Sequence, residues 1–97
     1  MLRIAVCDDS LQFLQAAAAH IKAWAEKRNM PIDLLTCSNG DELLRLNAAD
    51  RLDIVFLDII MPLLNGMETA RELRQEDKAV RIIFLTSSPE FALDSYS

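Results

Sequence analysis

Four short apolar runs recur along the chain: Leu2 to Cys7, Ile32 to Cys37, Ile54 to Leu57 and Arg81 to Thr86. The last two are continuous rather than alternating, the pattern of strands covered on both faces. Segments of helical period separate them. Leu11, Leu14, Ala18, Ile21 and Ala25 step by three or four residues after Ser10. That predicts a helix of about five turns, N-capped by the serine, with Trp24 packed into the core beside the stripe. Asn39-Gly40-Asp41-Glu42 places a glutamate three residues past a capping asparagine and opens a second helix with Leu43, Leu44 and Leu46 inward. Asn65-Gly66-Met67-Glu68 repeats the arrangement for a third helix, whose Met67, Ala70 and Leu73 are expected to face inward. Ser88-Pro89 reads as the cap and first position of a fourth helix, Pro89 to Tyr96. Strands alternating with helices over short links make parallel βαβ units with right-handed crossovers. The expected fold class is therefore α/β, an open parallel sheet with helices on both faces.

Composition narrows this picture. The 97 residues fit one domain, residues 1–97, and the 52% apolar share is that of a compact globular chain. Fifteen acidic against ten basic residues give a formal charge of −5, with no dense Lys/Arg block, so direct nucleic-acid binding by this chain is disfavoured. The opening apolar run is too short for a signal peptide, and no run reaches the roughly 18 apolar residues that mark a membrane span. Cys7 and Cys37 are the one pair available for a disulfide, but without a secretion signal a cytoplasmic setting with reduced thiols is expected, each cysteine packing as a small hydrophobe at the end of an apolar run.

The chemistry gathers at strand ends. Val6-Cys7 leads into Asp8-Asp9, Leu57 into Asp58, and Leu85 into Thr86. Ligands of open α/β sheets bind beyond the carboxyl ends of the strands, where strand order reverses. An aspartate after a strand is commonly a turn residue or helix cap. Three carboxylates and a hydroxyl at three strand ends favour a site. If the first and third strands are neighbours, Asp8, Asp9 and Asp58 converge and need a cation or a held proton. Oxygen donors without His or Cys suit a hard ion such as Mg²⁺.

Together, Asp8-Asp9, then Phe56-Leu57-Asp58-Ile59-Ile60-Met61-Pro62 with Gly66 beyond, then Phe84-Leu85-Thr86 resemble the receiver domain of bacterial two-component response regulators. The ordered set is specific where each motif alone is weak. Ser88-Pro89-Glu90-Phe91-Ala92-Leu93 is similar to receivers that carry a LytTR-type DNA-binding domain. The resemblance implies a flavodoxin-like three-layer sandwich with sheet order 2-1-3-4, stopping before a fifth βα unit that would carry a Lys-Pro pair. It implies that Asp58 accepts a phosphoryl group from a sensor histidine kinase. It further implies that Asp8, Asp9, Asp58 and the backbone carbonyl of Ile60 hold Mg²⁺, and that Thr86 contacts the phosphoryl group and switches the output, transcription control in the parent protein. No dedicated turnover enzyme is implied. Without the fifth unit, the fourth strand keeps an open edge, and the expectation is either a homodimer or domain-swapped oligomer, or a poorly stable monomer.

Two other readings compete. A haloacid-dehalogenase-like phosphohydrolase also places an Asp nucleophile after a strand with Mg²⁺, but wants a second Asp two residues on, where Ile60 stands. A non-phosphorylated interaction module would use the acidic crevice for nothing. His20, on the first helix away from the acids, is assigned no function.

Overall fold

The computed structural model describes residues 1–58 and 66–85. Within them the order is β1 (Leu2–Cys7), α1 (Leu11–Lys27), β2 (Ile32–Cys37), α2 (Gly40–Ala49), β3 (Ile54–Asp58), α3 (Gly66–Glu76) and β4 (Arg81–Leu85). The expected fourth helix, Pro89 to Tyr96, lies outside the described residues. The strands form one parallel sheet in the order β2-β1-β3-β4, with the reversal of order between β1 and β3.

Register partners share a sheet face, which sorts the apolar residues into two layers. Ala5, Cys7, Cys37, Val55 and Leu57 join Leu43, Leu52, Ala70, Leu73 and Val80 in the main core, under α2 and α3. Ile4 and Val6 point to the other face and are buried there by α1, through Leu14 and Ala25. The architecture is the expected three-layer α/β sandwich.

The helix ends follow local chemistry. Ser10 Oγ accepts from Phe13 N–H at the start of α1, and Asn39 Oδ1 accepts from Glu42 N–H at 2.9 Å at the start of α2. Glu42 reaches back past the cap to Ser38, accepting from its N–H at 3.3 Å. At the far end of α1, Asn29 takes φ 51° while its N–H donates to Glu26 and that of Met30 to Ala25. This pattern closes a helix with one left-handed residue, a conformation that asparagine tolerates better than other side chains.

Several side chains sit where the pattern did not place them. Leu11 is 67% exposed, because it occupies the first turn of α1, ahead of the residues that reach the sheet. Trp24 is 40% exposed rather than in the core, and its ring carries the Arg28 guanidinium at 4.8 Å. Met67 is exposed too. In α3 Ala70 and Leu73 are buried as expected, but Gly66 and Thr69 complete the stripe in place of Met67. The two-sided cover expected for β3 and β4 holds on the α2/α3 face. On the other face, among the described residues, α1 overlies β1 and β2, while Ile54 and Phe56 are half-buried and Ile83 is 38% exposed.

The opposite end of the sheet is tied by Arg3. Its N–H donates to Asp53 Oδ2 at 2.7 Å, and its guanidinium pairs with Asp33 at 2.6 Å and Asp50 at 3.5 Å. Arg3 O accepts from Asp53 N–H, and Asp53 O from Arg81 N–H. One side chain thereby joins β1, β2 and the turn before β3, leaving the other end of the sheet for chemistry.

Candidate functional site

Parallel pairing sets Cys7 beside Leu57, so the chains leaving β1 and ending β3 bring Asp8 and Asp58 together at the switch point. Asp9 joins them. The three residues each offer a carboxylate oxygen, and these atoms lie within 4.8 Å of one another. Asp8 is buried, Asp58 half-buried and Asp9 exposed, giving a pocket with a closed floor and an open mouth.

The floor is held rigidly. Asp8 N–H donates to the Cys37 carbonyl at 3.2 Å, and Asp8 Oδ1 accepts from Ser10 N–H at 3.0 Å. An Asx turn thus leads directly into the cap of α1, so one short segment both starts the helix and aims the carboxylate. Burial raises the pKa of Asp8 above the ordinary aspartate value; the Ser10 amide opposes that shift and the negative charge of Asp9 adds to it. Such a cluster is relieved by a cation. Its donors are all oxygen, the set preferred by Mg²⁺ or another hard ion, and the exposed Asp9 leaves room for water ligands.

Asp8, Asp9 and Asp58 are therefore brought together as the sequence suggested. Ile60 and Thr86 lie outside the described residues, as do Met61 and Pro62. Gly66 is buried at the first position of α3. His20 is exposed on α1. The sequence reading missed the Ser10 amide, although Asp8 standing two residues before a capping serine is an Asx-turn signal. The sequence named Cys7 and Cys37 as the available pair, but that they stand side by side across β1 and β2 is revealed only by the register.

Known proteins resemble this chain in sequence and in fold. The transcriptional regulatory protein ResD of Bacillus subtilis is 33% identical over 90 residues, covering 93% of this chain and 35% of that protein. The sensory transduction protein LytT of Oceanobacillus iheyensis is 38% identical over 69 residues, covering 66% of this chain and 28% of that protein. The chain thus spans about a third of the length of these curated relatives. Among solved structures, the response regulator protein TrrA from Thermotoga maritima, in complex with Mg²⁺-BeF, superposes with a TM-score of 0.79 at 33% identity, covering 97% of this chain and 76% of that one. Among the described residues, no helix is long and apolar enough to cross a membrane. Residues 4–94 match the response regulator receiver domain, so nearly the whole chain is accounted for, and it belongs to that family.

Proposed function

We propose that this chain, residues 1–97 as one receiver domain, is a phosphoacceptor module that takes a phosphoryl group on Asp58 from the phosphohistidine of a sensor histidine kinase. The observation that carries the reading is the convergence of Asp8, Asp9 and Asp58 at the ends of β1 and β3. A carboxylate oxygen of Asp58 attacks phosphorus; the O–P bond forms as the P–N bond breaks, and the departing imidazole keeps the electron pair and is left neutral or protonated by solvent. Asp8, Asp9 and Asp58, with the Ile60 carbonyl, would hold Mg²⁺. When bound, the ion supplies positive charge against the oxygens of the transferring group, the main requirement of phosphoryl transfer. Thr86 would contact the phosphoryl group and bias the output surface.

The chain's part is positioning. Ser10 and the Cys37 carbonyl hold Asp8, and Asp58 stands half-buried where a donor can reach it. Similarity to ResD and LytT supports control of transcription by the parent protein, and the LytT match favours an output domain of the LytTR type. The setting is cytoplasmic, with the kinase as partner. The edge position of β4 among the described residues, with Ile83 exposed on it, supports a homodimer or strand-exchanged oligomer, which sedimentation across a concentration series tests.

Incubation with phosphoramidate and Mg²⁺, followed by intact mass and peptide mapping, tests the central claim. One phosphoryl group on Asp58, lost in Asp58→Asn and dependent on Mg²⁺, is the expected result. An adduct on Asp8, Asp9 or His20 overturns it.

A further inference from the structure

Directly beneath the acidic pocket, Cys7 and Cys37 are register partners on adjacent strands β1 and β2, and both are buried in the same core cluster. Each thiol donates to a backbone carbonyl across the seam between the two chain segments. Cys7 Sγ–H donates to the Asn39 carbonyl at 3.3 Å, and Cys37 Sγ–H to the Val6 carbonyl at 3.7 Å. The Cys7 sulfur beside it, together with burial, keeps Cys37 in the protonated form well above its ordinary range. Both residues are joined to the pocket by backbone: Cys7 precedes Asp8, and Cys37 supplies the carbonyl that accepts from Asp8 N–H.

We propose that Cys7 and Cys37 form a reversible intramolecular disulfide that distorts the acidic pocket, making it sensitive to oxidation. Neighbouring strands lie about 4.8 Å apart, inside the Cα window of about 4.4–6.8 Å that a disulfide accepts. Side chains of register partners stand side by side at roughly that same spacing, whereas bridged Cβ atoms lie about 3.5–4.5 Å apart. Closure therefore draws the ends of β1 and β2 together by about 0.3–1.3 Å. It also removes both S–H donors, including the one on the Asn39 carbonyl at the start of α2. The displaced segment is the one that carries Asp8 and Asp9. A bond formed under such strain is readily reduced again, the property of regulatory rather than structural disulfides.

The chemistry balances with a peroxide as oxidant. Two S–H bonds break and one S–S bond forms, and the two electrons and two protons reduce H₂O₂ to two molecules of water. Among the described residues β2 is an edge strand, and Ser38 beyond it is exposed, so the oxidant reaches the pair by opening of the end of β2 rather than of the whole sheet. The bridge is consequently slow to form, a response to sustained oxidation.

The test exposes the folded chain to H₂O₂ and reads three quantities. Digestion without reductant followed by mass spectrometry should find the peptide containing Cys7 linked to that containing Cys37. The ¹H–¹⁵N resonances of Asp8, Asp9, Ser10 and Asn39 should shift and return with dithiothreitol. Mg²⁺ affinity by calorimetry should fall about tenfold in the oxidised form, the lower end of what displacing groups behind a metal ligand costs. Cys37→Ala should show none of these changes. Full recovery of both thiols on unfolding after native oxidation overturns the proposal, as does linkage that leaves the Asp8 to Ser10 resonances unmoved. The effect on Mg²⁺ rests on the metal reading of the pocket: if the reduced chain fails to bind Mg²⁺, that reading falls, while linkage and resonances still decide the disulfide.

Discussion

Replacing Asp8 by asparagine separates the electrostatic role of the pocket from its packing. The amide oxygen of the new side chain can still accept from Ser10 N–H, so the Asx turn into α1 is kept while one charge is removed. Asp8 has two carboxylate neighbours within 4.8 Å. A unit-charge pair at that distance repels by about 0.9 kcal/mol in a water-like dielectric and about 3.5 kcal/mol at an effective dielectric of 20. Burial of Asp8 and the charge of Asp9 act in the same direction, while the Ser10 amide and a hydrogen bond shared with the Asp58 side chain act against it. Without divalent cations, Asp8→Asn should therefore unfold in urea with about 1–2 kcal/mol more stability than the native chain, near the water-like end of the range because the pocket mouth is open. In a chain of this size that corresponds to a rise in Tm of about 4–8 °C per kcal/mol. With Mg²⁺ at ten times its Kd, the native chain should gain about 1.4 kcal/mol and the variant much less, so their order narrows or inverts. A variant less stable than the native chain in chelator, or one that gains as much from Mg²⁺, would refute the argument that repulsion at this site is what the cation relieves.

The same site should be pH-dependent. Because the folded-state pKa of Asp8 is raised, the folded chain binds its proton more tightly than the unfolded chain does, so the destabilisation is present at neutral pH and lifts as pH falls through the folded pKa. The stability difference between the native chain and Asp8→Asn should shrink on acidification, as urea titrations at a series of pH values would show; a difference that stays constant contradicts the shift. In α3, Leu73→Ala should cost about 2–5 kcal/mol in chemical unfolding and Met67→Ala under about 1 kcal/mol, since Leu73 is fully buried and Met67 is exposed. Equal losses would restore the inward reading of Met67. Asn29→Ala should cost about 1 kcal/mol by thermal unfolding and Asn29→Gly nothing or less, because only the alanine carries a Cβ into the left-handed conformation at the end of α1 without asparagine's local hydrogen bonding.

Local physics was enough for the elements and for the identity of the chemical residues. Apolar runs of strand length, helical periodicity and the caps Ser10 and Asn39 are decided by neighbours within a few positions, which is why β1 to β4 and α1 to α3 stand close to where the pattern put them. The three acids were legible for the same reason, each marking an abrupt change from apolar to charged at a strand end. Their meeting was not local. Asp8 and Asp58 are fifty residues apart, and only the parallel pairing of β1 with β3 makes them neighbours within one pocket. Register likewise placed Cys7 against Cys37, which no spacing in the sequence distinguishes from two unrelated core cysteines. Exposure was a tertiary matter as well: a helical stripe says which residues share a side, but where the sheet lies beneath it decides that Leu73 is covered while Leu11, Trp24 and Met67 meet solvent. Periodicity fixes an angle around one helix axis, whereas burial depends on the position of a second surface, and that position exists only once the sheet has formed.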